Sequence, residues 1–255
     1  MLLPRLIPVL LIRNNGLIKT TNFSNDKYVG DPLNAVKIFN EKKVDEIIVI
    51  DIDATVNQTS PNLQLIKDLA SECRMPMCYG GGIKSTEEAS KILSLGVEKI
   101  SISSAAISNP LIVEDISKEV GAQSVVITLD VKKKLFGGYD VYTHNGKHNT
   151  KQDLLSLIKD FESKGAGEIV INSIDKDGTM SGYDLNLIKI ISKNVNIPIT
   201  CLGGAGTQSD IRDLYSQQGI IGAAAGSFFV FKGKYRAVLI TYPSADEKSS
   251  LYENI

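Results

Sequence analysis

The sequence predicts a (β/α)8 barrel, an α/β fold in which eight parallel strands close into a cylinder and helices cover its outside. Short β-branched segments alternate with amphipathic ones along the 255 residues, and eight such units in about 250 residues are the usual size of this fold. The strand segments are apolar throughout, as expected for a parallel sheet covered on both faces. The two halves of the chain also resemble each other, as in a fold built by repetition.

Eight short segments, most of them rich in Val, Ile and Leu, are the predicted strands. In chain order they cover residues 5–12, 46–52, 76–79, 98–103, 124–131, 168–173, 198–202 and 220–225.

Amphipathic segments between these strands are the predicted helices. Several begin at Ser, Asp or Asn, which cap helix N-termini, and several end at a glycine, which caps C-termini. They cover residues 31–42, 60–72, 85–96, 109–121, 151–165, 183–194 and 208–219. The polar segment "YDVYTHNGKHNT" after the fifth strand predicts a hairpin, and the polar tail over residues 244–255 is expected to be loosely held.

Two pairs of matching segments carry the internal repeat. "DEIIVIDIDAT" at 45–55 matches "GEIVINSIDKDGT" at 167–179, and "MPMCYGGGI" matches "IPITCLGGAG" further on. A doubly wound open sheet is the alternative at this length, and the repeat favours the barrel. We therefore expect a single domain over residues 1–255, with half barrels at approximately 1–122 and 123–245.

Aligning the first strand with the fifth shows a difference between the halves. "VLLIRN" falls opposite "TLDVKK", so that Leu11 aligns with Asp130. One half carries a carboxylate where the other carries an aliphatic side chain.

Composition excludes several classes of function. A net charge of −1 and a pI near 6.2 give no field that would gather nucleic acid or an anionic membrane. No apolar run is long enough to span a bilayer, and the N-terminus lacks a basic leader and a cleavage site, so we expect a cytoplasmic protein. Three cysteines without a C-x-x-C pair, and two histidines on a loop expected to be solvated, predict neither a disulfide framework nor a metal site. No cofactor is expected.

Glycine and serine are concentrated where four strands end, which is where ligands bind in this fold. "GGGIKSTEEA" follows the third strand, "SISSAA" the fourth, "GGAGTQSD" the seventh and "AAAGS" the eighth. Glycine lets backbone N–H groups approach an anion, Ser adds a hydroxyl donor, and the following helix contributes its dipole. A single loop of this kind is as well explained by a tight turn, but one pair in each half predicts a ligand with two phosphates. The candidate phosphate-binding residues in these loops are Gly81, Gly82, Ser103, Ser104, Gly204, Gly206, Gly226 and Ser227.

Seven motifs in order resemble the cyclase subunit of imidazole glycerol phosphate synthase, over approximately residues 1–240: "NGLIKTTNF", "GDPLNAVKIFNE", "DEIIVIDIDAT", "YGGGIKSTEEASKIL", "GVEKISISSAAISNP", "KGAGEIVINSIDKDGTMSGYD" and "LGGAGT". The resemblance implies a barrel that takes ammonia from a glutaminase subunit docked at its amino-terminal face. In that family the ammonia passes along the barrel axis and splits a bisphosphorylated ribulosyl intermediate into imidazole glycerol phosphate and an aminoimidazole ribotide.

The resemblance also implies roles for single residues. The family's acid and base are two Asp residues that end the first and fifth strands; Asp130 matches the second, while Leu11 stands in place of the first. Lys19 and Asp51 match polar residues of the substrate site. Asp177 and Gly178 match a family loop beside the substrate and its phosphate.

At the amino ends of the strands, the resemblance implies a gate for ammonia. Four charged residues, two of each sign, match the family's ring: Arg5, Glu46, Lys99 and Glu168. Charges at this end of a barrel often serve stability alone, which is the alternative interpretation.

The functional hypotheses differ in how they explain the missing acid at position 11. One is a paralogue resembling those of surface-polysaccharide pathways, in which barrel and glutaminase supply ammonia to a separate amidotransferase that makes an acetamidino-sugar. A second is a histidine-pathway cyclase in which Asp51 or Asp53 replaces the lost acid. The sister sugar isomerase of histidine synthesis, and a non-catalytic scaffold for a glutaminase, are further alternatives.

Overall fold

A computed structural model describes residues 4–252 and confirms the predicted barrel. In chain order the strands are β1 (Arg5–Arg13), β2 (Gly16–Thr21), β3 (Ser24–Gly30), β4 (Ile47–Asp51), β5 (Met77–Gly80), β6 (Lys99–Ile102), β7 (Val125–Lys133), β8 (Tyr139–Thr143), β9 (His148–Asn149), β10 (Glu168–Ser173), β11 (Ile199–Leu202), β12 (Gly222–Ala225), β13 (Phe231–Lys232) and β14 (Ala237–Val238). Eight of these, β1, β4, β5, β6, β7, β10, β11 and β12, pair in parallel. The sheet closes because β12 pairs with β1.

Helices follow the barrel strands as the amphipathic segments predict. They are α1 (Pro32–Glu41), α2 (Leu63–Glu72), α3 (Thr86–Ser94), α4 (Ser104–Ser108), α5 (Leu111–Val120), α6 (Leu154–Ser163), α7 (Leu185–Ser192), α8 (Gln208–Gln218), α9 (Ser227–Val230) and α10 (Ala245–Leu251). Seven of them are capped by a side chain that accepts a hydrogen bond from the first-turn backbone: Asp31, Asn62, Ser85, Asp153, Asp184, Thr207 and Ser244. Within residues 4–252, no helix is long and apolar enough to cross a membrane.

Two hairpins project from the carboxyl end of the barrel. The β8–β9 hairpin after the fifth barrel strand is confirmed, and β8 pairs antiparallel with β7. The β2–β3 hairpin was not predicted, because its second strand, "SNDKYVG", is almost wholly exposed and polar and lacks an apolar alternation. It continues directly from β1, which pairs with β2.

The expectation of a loosely held tail is wrong for its described part. Ser244 and Glu247 form a capping box that begins α10, and Leu251 is 1% exposed in the core. Residues 253–255 lie outside the described chain. We therefore expect Leu251→Ala to lower the free energy of unfolding, measured in urea, by about 2–3 kcal/mol; a change near zero would mean that the tail is not packed.

Barrel strands bury side chains on both faces. Outward residues pack under the helices in a large cluster, and inward residues form a smaller one at the axis. The inner cluster consists of Ile7, Val9, Ile48, Cys78, Val126, Val170, Leu202 and Ala224, with Leu11 and Ile50 packed against it.

The strand register is the same in the two halves. In the first half, β1 pairs with β4 through Val9 opposite Ile48 and Leu11 opposite Ile50. In the second half, β7 pairs with β10 through Thr128 opposite Val170 and Asp130 opposite Asn172. Since Ile48 and Ile50 correspond to Val170 and Asn172 in the repeat, the pair Leu11–Ile50 occupies the place of the pair Asp130–Asn172.

Candidate functional site

A pocket of about 540 Å³ opens at the carboxyl ends of the barrel strands. Nearly all residues predicted for the top of the barrel line it, namely Lys19, Asp51, Asp130, Asp177, Gly81, Gly82, Ser103, Ser104, Gly178, Gly204, Gly226 and Ser227. Leu11 and Asn172 line it as well. Residues far apart in sequence thus converge because parallel strands all end at this face.

Asp130 is a pocket carboxylate that pairs with a side-chain amide on the neighbouring strand. Its Oδ1 accepts a hydrogen bond of 2.9 Å from Asn172 Nδ2. Burial raises the pKa of Asp130 to about 7, against the lowering effect of that hydrogen bond, and the charge of Asp177 raises it further. A carboxyl group that titrates near neutral pH can both take up and release a proton under cellular conditions.

The raised pKa of Asp130 predicts a pH dependence of stability. The native state holds this proton up to about pH 7, whereas the unfolded chain releases it near pH 4. This group therefore contributes a loss of stability as pH rises from about 4 to 7. The difference in free energy of unfolding between Asp130→Asn and the unmodified protein, measured in urea, should therefore favour the variant more at pH 8 than at pH 5. An equal difference at both pH values would contradict the raised pKa.

Lys19 and Asp177 form a second buried polar group beside the pocket. Lys19 is 4% exposed, and its Nζ donates to the carbonyl oxygen of Val9. Burial lowers the pKa of Lys19 to about 8, opposed by the charge of Asp177. Asp177 Oδ2 accepts hydrogen bonds from Thr20 Oγ1 at 2.7 Å and from the Phe23 backbone N–H at 3.2 Å. These contacts tie the loop after β10 to the β2–β3 hairpin.

Asp51, which ends β4, and Asp53, two residues later, have different surroundings. Asp51 lines the pocket, and its Oδ1 caps the next turn by accepting from the backbone N–H groups of Asp53 and Ala54. Burial raises the pKa of Asp51, opposed by those hydrogen bonds. Asp53 instead accepts from the Arg13 guanidinium at 3.1 Å, and Arg13 also reaches Asp26 on β3. Asp53 therefore anchors the hairpin, and only Asp51 faces the pocket.

Some of the predicted phosphate-binding glycines are required by the backbone itself. Gly178 has a φ of +67°, and a Cβ there would lie 2.0 Å from the carbonyl oxygen of Thr20. A Cβ on Gly226 would lie 2.5 Å from Lys19 Nζ, so this glycine leaves room for the buried ammonium. The backbone therefore needs glycine at position 178 whether or not a phosphate binds, whereas at position 226 a larger residue would displace the Lys19 side chain.

Gly206 is not brought to the pocket. Its backbone N–H donates to Asp210 Oδ2 at the start of α8, and a Cβ there would meet the Met180 backbone and side chain at 2.6 Å. The repeat placed it correctly in the loop after β11, but the chain has already turned away from the axis at that position. Its backbone N–H is already paired within the chain, so the geometry does not favour the predicted role as a phosphate ligand, and Gly206 packs against Met180.

Part of the pocket rim comes from hairpin turns to which the sequence motifs assign no role. His144 and Asn145, from the turn between β8 and β9, line the pocket together with Phe23 from the turn between β2 and β3. Gly146 packs against Phe23, so that the two hairpins meet. His144 is exposed, as expected, but at the pocket mouth. The turn "THNG" is the signal that could have placed these residues beside the site. No cluster able to hold a metal occurs among residues 4–252.

At the amino end of the barrel, the four charged residues of the predicted gate form one closed network. Arg5 donates to Glu168 Oε1 at 2.7 Å and to Glu46, and Lys99 donates to Glu46 at 2.9 Å and to Glu168 at 3.0 Å. Thr200 Oγ1 adds a hydrogen bond of 2.6 Å to Glu168. Each acid therefore contacts both bases across the axis.

The charges of this ring stabilise one another. Burial alone would lower the pKa of Lys99, but the carboxylates of Glu168 and Glu46 outweigh it and raise it. Burial alone would raise the pKa of Glu168, but the hydrogen bond and charge of Arg5, with the charge of Lys99, lower it. The ring thus keeps its ion pairs at neutral pH and spans the barrel axis at its amino end.

The fold and the site define a (β/α)8 barrel with a polar pocket at one end of its axis and a ring of ion pairs at the other. The family model for "Histidine biosynthesis protein" matches residues 5–236. A protein of Vibrio vulnificus, provisionally named imidazole glycerol phosphate synthase subunit hisF3, is 54% identical over 99% of this chain and 98% of its own. A protein of Pseudomonas aeruginosa, provisionally named subunit hisF2, is 48% identical over 95% and 97%. The imidazole glycerol phosphate synthase subunit HisF of Helicobacter hepaticus is 38% identical over 93% and 94%.

The chain belongs to the histidine biosynthesis protein family, among subunits of the HisF type. This confirms the resemblance inferred from the sequence motifs and makes the protein a cyclase-type enzyme subunit. The relatives named hisF3 and hisF2 are more similar to it than the HisF subunit of Helicobacter hepaticus.

Proposed function

We propose that this barrel conducts ammonia without performing the cyclase reaction itself. Ammonia enters from a glutaminase docked at the amino-terminal face, and the product of the system is an acetamidino-sugar of surface polysaccharide, made with a separate amidotransferase. The observation that carries this proposal is the register of the two halves: Leu11 and Ile50 stand where the second half has Asp130 and Asn172. Leucine cannot transfer a proton, and loss of a general acid or base costs about 10²–10⁴-fold in rate.

Retention of the entry end supports the conduit. The Arg5–Glu46–Lys99–Glu168 ring is complete, and the interior above it includes small side chains, Cys78, Ser101 and Ala224. Ser101 and Thr128 hydrogen-bond to each other at 2.6 Å within this interior. Larger apolar side chains at these axial positions would serve stability better than hydroxyl groups, which have to be paired when they are buried.

The residues that line the pocket support the proposal that it binds a phosphorylated ligand. Loops bearing Gly81, Gly82, Ser103 and Ser104 lie in the first half, and those bearing Gly204, Gly226 and Ser227 in the second, with Gly178 beside them. Backbone N–H groups and hydroxyls of this kind bind phosphate oxygens. One phosphate in each half fits the two-phosphate ligand that the family uses.

A second candidate is an active histidine-pathway cyclase in which Asp51 supplies the missing acid. Asp51 faces the pocket and its pKa is raised by burial, both of which suit a general acid. It stands one barrel strand away from Leu11, however, so the substrate would have to bind in a shifted orientation.

Association with a glutaminase tests the conduit. We expect the purified barrel to form a stable complex with a glutaminase of the same organism in analytical ultracentrifugation, and glutamine hydrolysis to accelerate on binding. Glu87→Lys, a charge reversal at an exposed position in the first turn of α3 and so at the opposite end of the barrel, is the control and should leave both unchanged. A barrel that neither binds nor stimulates any such glutaminase contradicts the proposal.

A further inference from the structure

Asn172 carries a buried polar atom without a partner. The residue is 8% exposed, and its Oδ1 meets no hydrogen-bond donor in the part of the chain that the structure describes. Buried amide oxygens in native proteins are rarely left unpaired, because the lost hydration is then not replaced. An orphaned acceptor in a pocket wall therefore points to a ligand that supplies the donor.

The orientation of this amide is fixed by its other end. Asn172 Nδ2 donates to Asp130 Oδ1, so Oδ1 must point the opposite way. A Cβ on Gly203 would lie 3.3 Å from this oxygen, which means that glycine leaves the space beside it open. Asn172, Asp130 and Gly203 all line the pocket.

The position along the barrel axis indicates what could reach this oxygen. On β10, Glu168 belongs to the charged ring, Val170 to the apolar interior, and Asn172 is the next inward residue. Asn172 is thus the first acceptor of its strand that a small molecule would meet on emerging from the interior into the pocket. At the equivalent place in the first half, Ile50 and Leu11 offer no acceptor.

We propose that Asn172 Oδ1 and the Asp130 carboxylate form an acceptor pair that binds a nitrogen with at least two N–H groups at the floor of the pocket. Only the second half of the barrel holds this pair, so the nitrogen binds off the axis. Its source is ammonia that has passed through the barrel, and this assignment rests on the proposed function. An amide or amine nitrogen of the organic ligand has the same chemistry and is the other source.

Carboxyl ¹³C NMR of Asp130, in the isolated barrel at pH 8, tests the pair. At that pH the carboxylate is ionised, since the pKa is about 7. We expect ammonium chloride to cause a saturable shift of this signal, and tetramethylammonium chloride, which has no N–H group, to cause none. A saturable shift with acetamide but not with ammonium would support the acceptor pair and assign it to the organic ligand. Equal effects of both ammonium salts, or no effect of any probe, would overturn the proposal.

Variants separate binding by the pair from binding by the carboxylate alone. Because loss of the Asn172 hydrogen bond raises the pKa of Asp130, variants are compared at a pH where the Asp130 signal shows an ionised carboxylate in each protein. Asn172→Leu should then weaken the ammonium response about tenfold, which is the value of one hydrogen bond, while Asn172→Thr, which keeps an acceptor oxygen, should weaken it less. Asn57→Leu, at an exposed position outside the pocket, is the control and should leave it unchanged. An unaltered response in Asn172→Leu would overturn the role of Asn172. If that variant does not fold, the comparison of the two salts in the unmodified protein still decides. The barrel is tested without glutaminase, so failure here leaves the conduit proposal standing.

Discussion

Replacing Leu11 with Asp is expected to raise the cyclase turnover of the barrel by about 10²–10⁴-fold, the usual contribution of one general acid or base. Leu11 lines the pocket on β1 and corresponds by register to Asp130 on β7. It is only half-buried, so a carboxylate there keeps contact with solvent and the fold should tolerate it. The measurement is the disappearance of the bisphosphorylated ribulosyl intermediate with saturating ammonium.

Leu11→Asn is the matched control, because it has the shape of Asp without its proton transfer. Adding Ile50→Asn to Leu11→Asp should raise the turnover further, since the introduced amide would then hold the new carboxylate as Asn172 holds Asp130. Asp130→Asn in the Leu11→Asp background should abolish the gain. If Leu11→Asp turns over no faster than Leu11→Asn while its circular dichroism is unchanged, loss of this one acid does not explain the difference in chemistry.

Removing Arg5 from the charged ring is expected to cost about 3 kcal/mol of folding stability. In Arg5→Met, Glu46 and Glu168, which are 3% and 5% exposed, would keep only Lys99 as a positive partner. The measurement is the free energy of unfolding in urea at pH 7. Because the ring lowers the pKa of Glu168, its stabilisation is lost as the pH falls below about 4, so the difference between the two proteins should shrink there.

Lys118→Met provides the comparison for an ion pair outside the ring. Lys118 contacts Glu114 on the exposed face of α5, and such pairs contribute little because solvent screens them. Its midpoint of unfolding should barely move. A loss in Arg5→Met as small as the one in Lys118→Met would mean that the ring is hydrated and does not close the barrel.

The sequence predicted the barrel for two reasons. Strand and helix segments have different patterns of apolar residues, and the two halves of the chain resemble each other. Each barrel strand and each main helix lies where apolar patterning and capping residues indicate. The β2–β3 hairpin escaped because its exposed strand has no buried face to leave a pattern. Local patterning does not reveal α10, because Leu251 is its one buried hydrophobic residue and its other contacts, such as Lys248 with Asp45 and Glu247 with Gln208, join residues far apart in the sequence.

The site was predictable in its residue types and less so in its contacts. Strand ends brought Lys19, Asp51, Asp130 and Asp177 to one pocket as expected, but Gly206 points away from it. Asp51 and Asp53 were both candidates to replace the lost acid, and the structure separates their roles: Asp51 lines the pocket, whereas Asp53 pairs with the guanidinium of Arg13. The pairing of Asp130 with Asn172 depends on strand register across the sheet, which the sequence suggests through its repeat and the structure supplies atom by atom.

Cyclase turnover by the unmodified barrel distinguishes an ammonia conduit from a working cyclase. Purified protein is mixed with its glutaminase and the bisphosphorylated ribulosyl intermediate, supplied with glutamine or ammonium, and compared with a conventional cyclase of the family. We predict turnover at least about 10²-fold lower, because Leu11 cannot transfer a proton, while binding of the glutaminase is intact. Turnover within about tenfold of the conventional enzyme would contradict the proposal that the barrel does not perform the cyclase reaction.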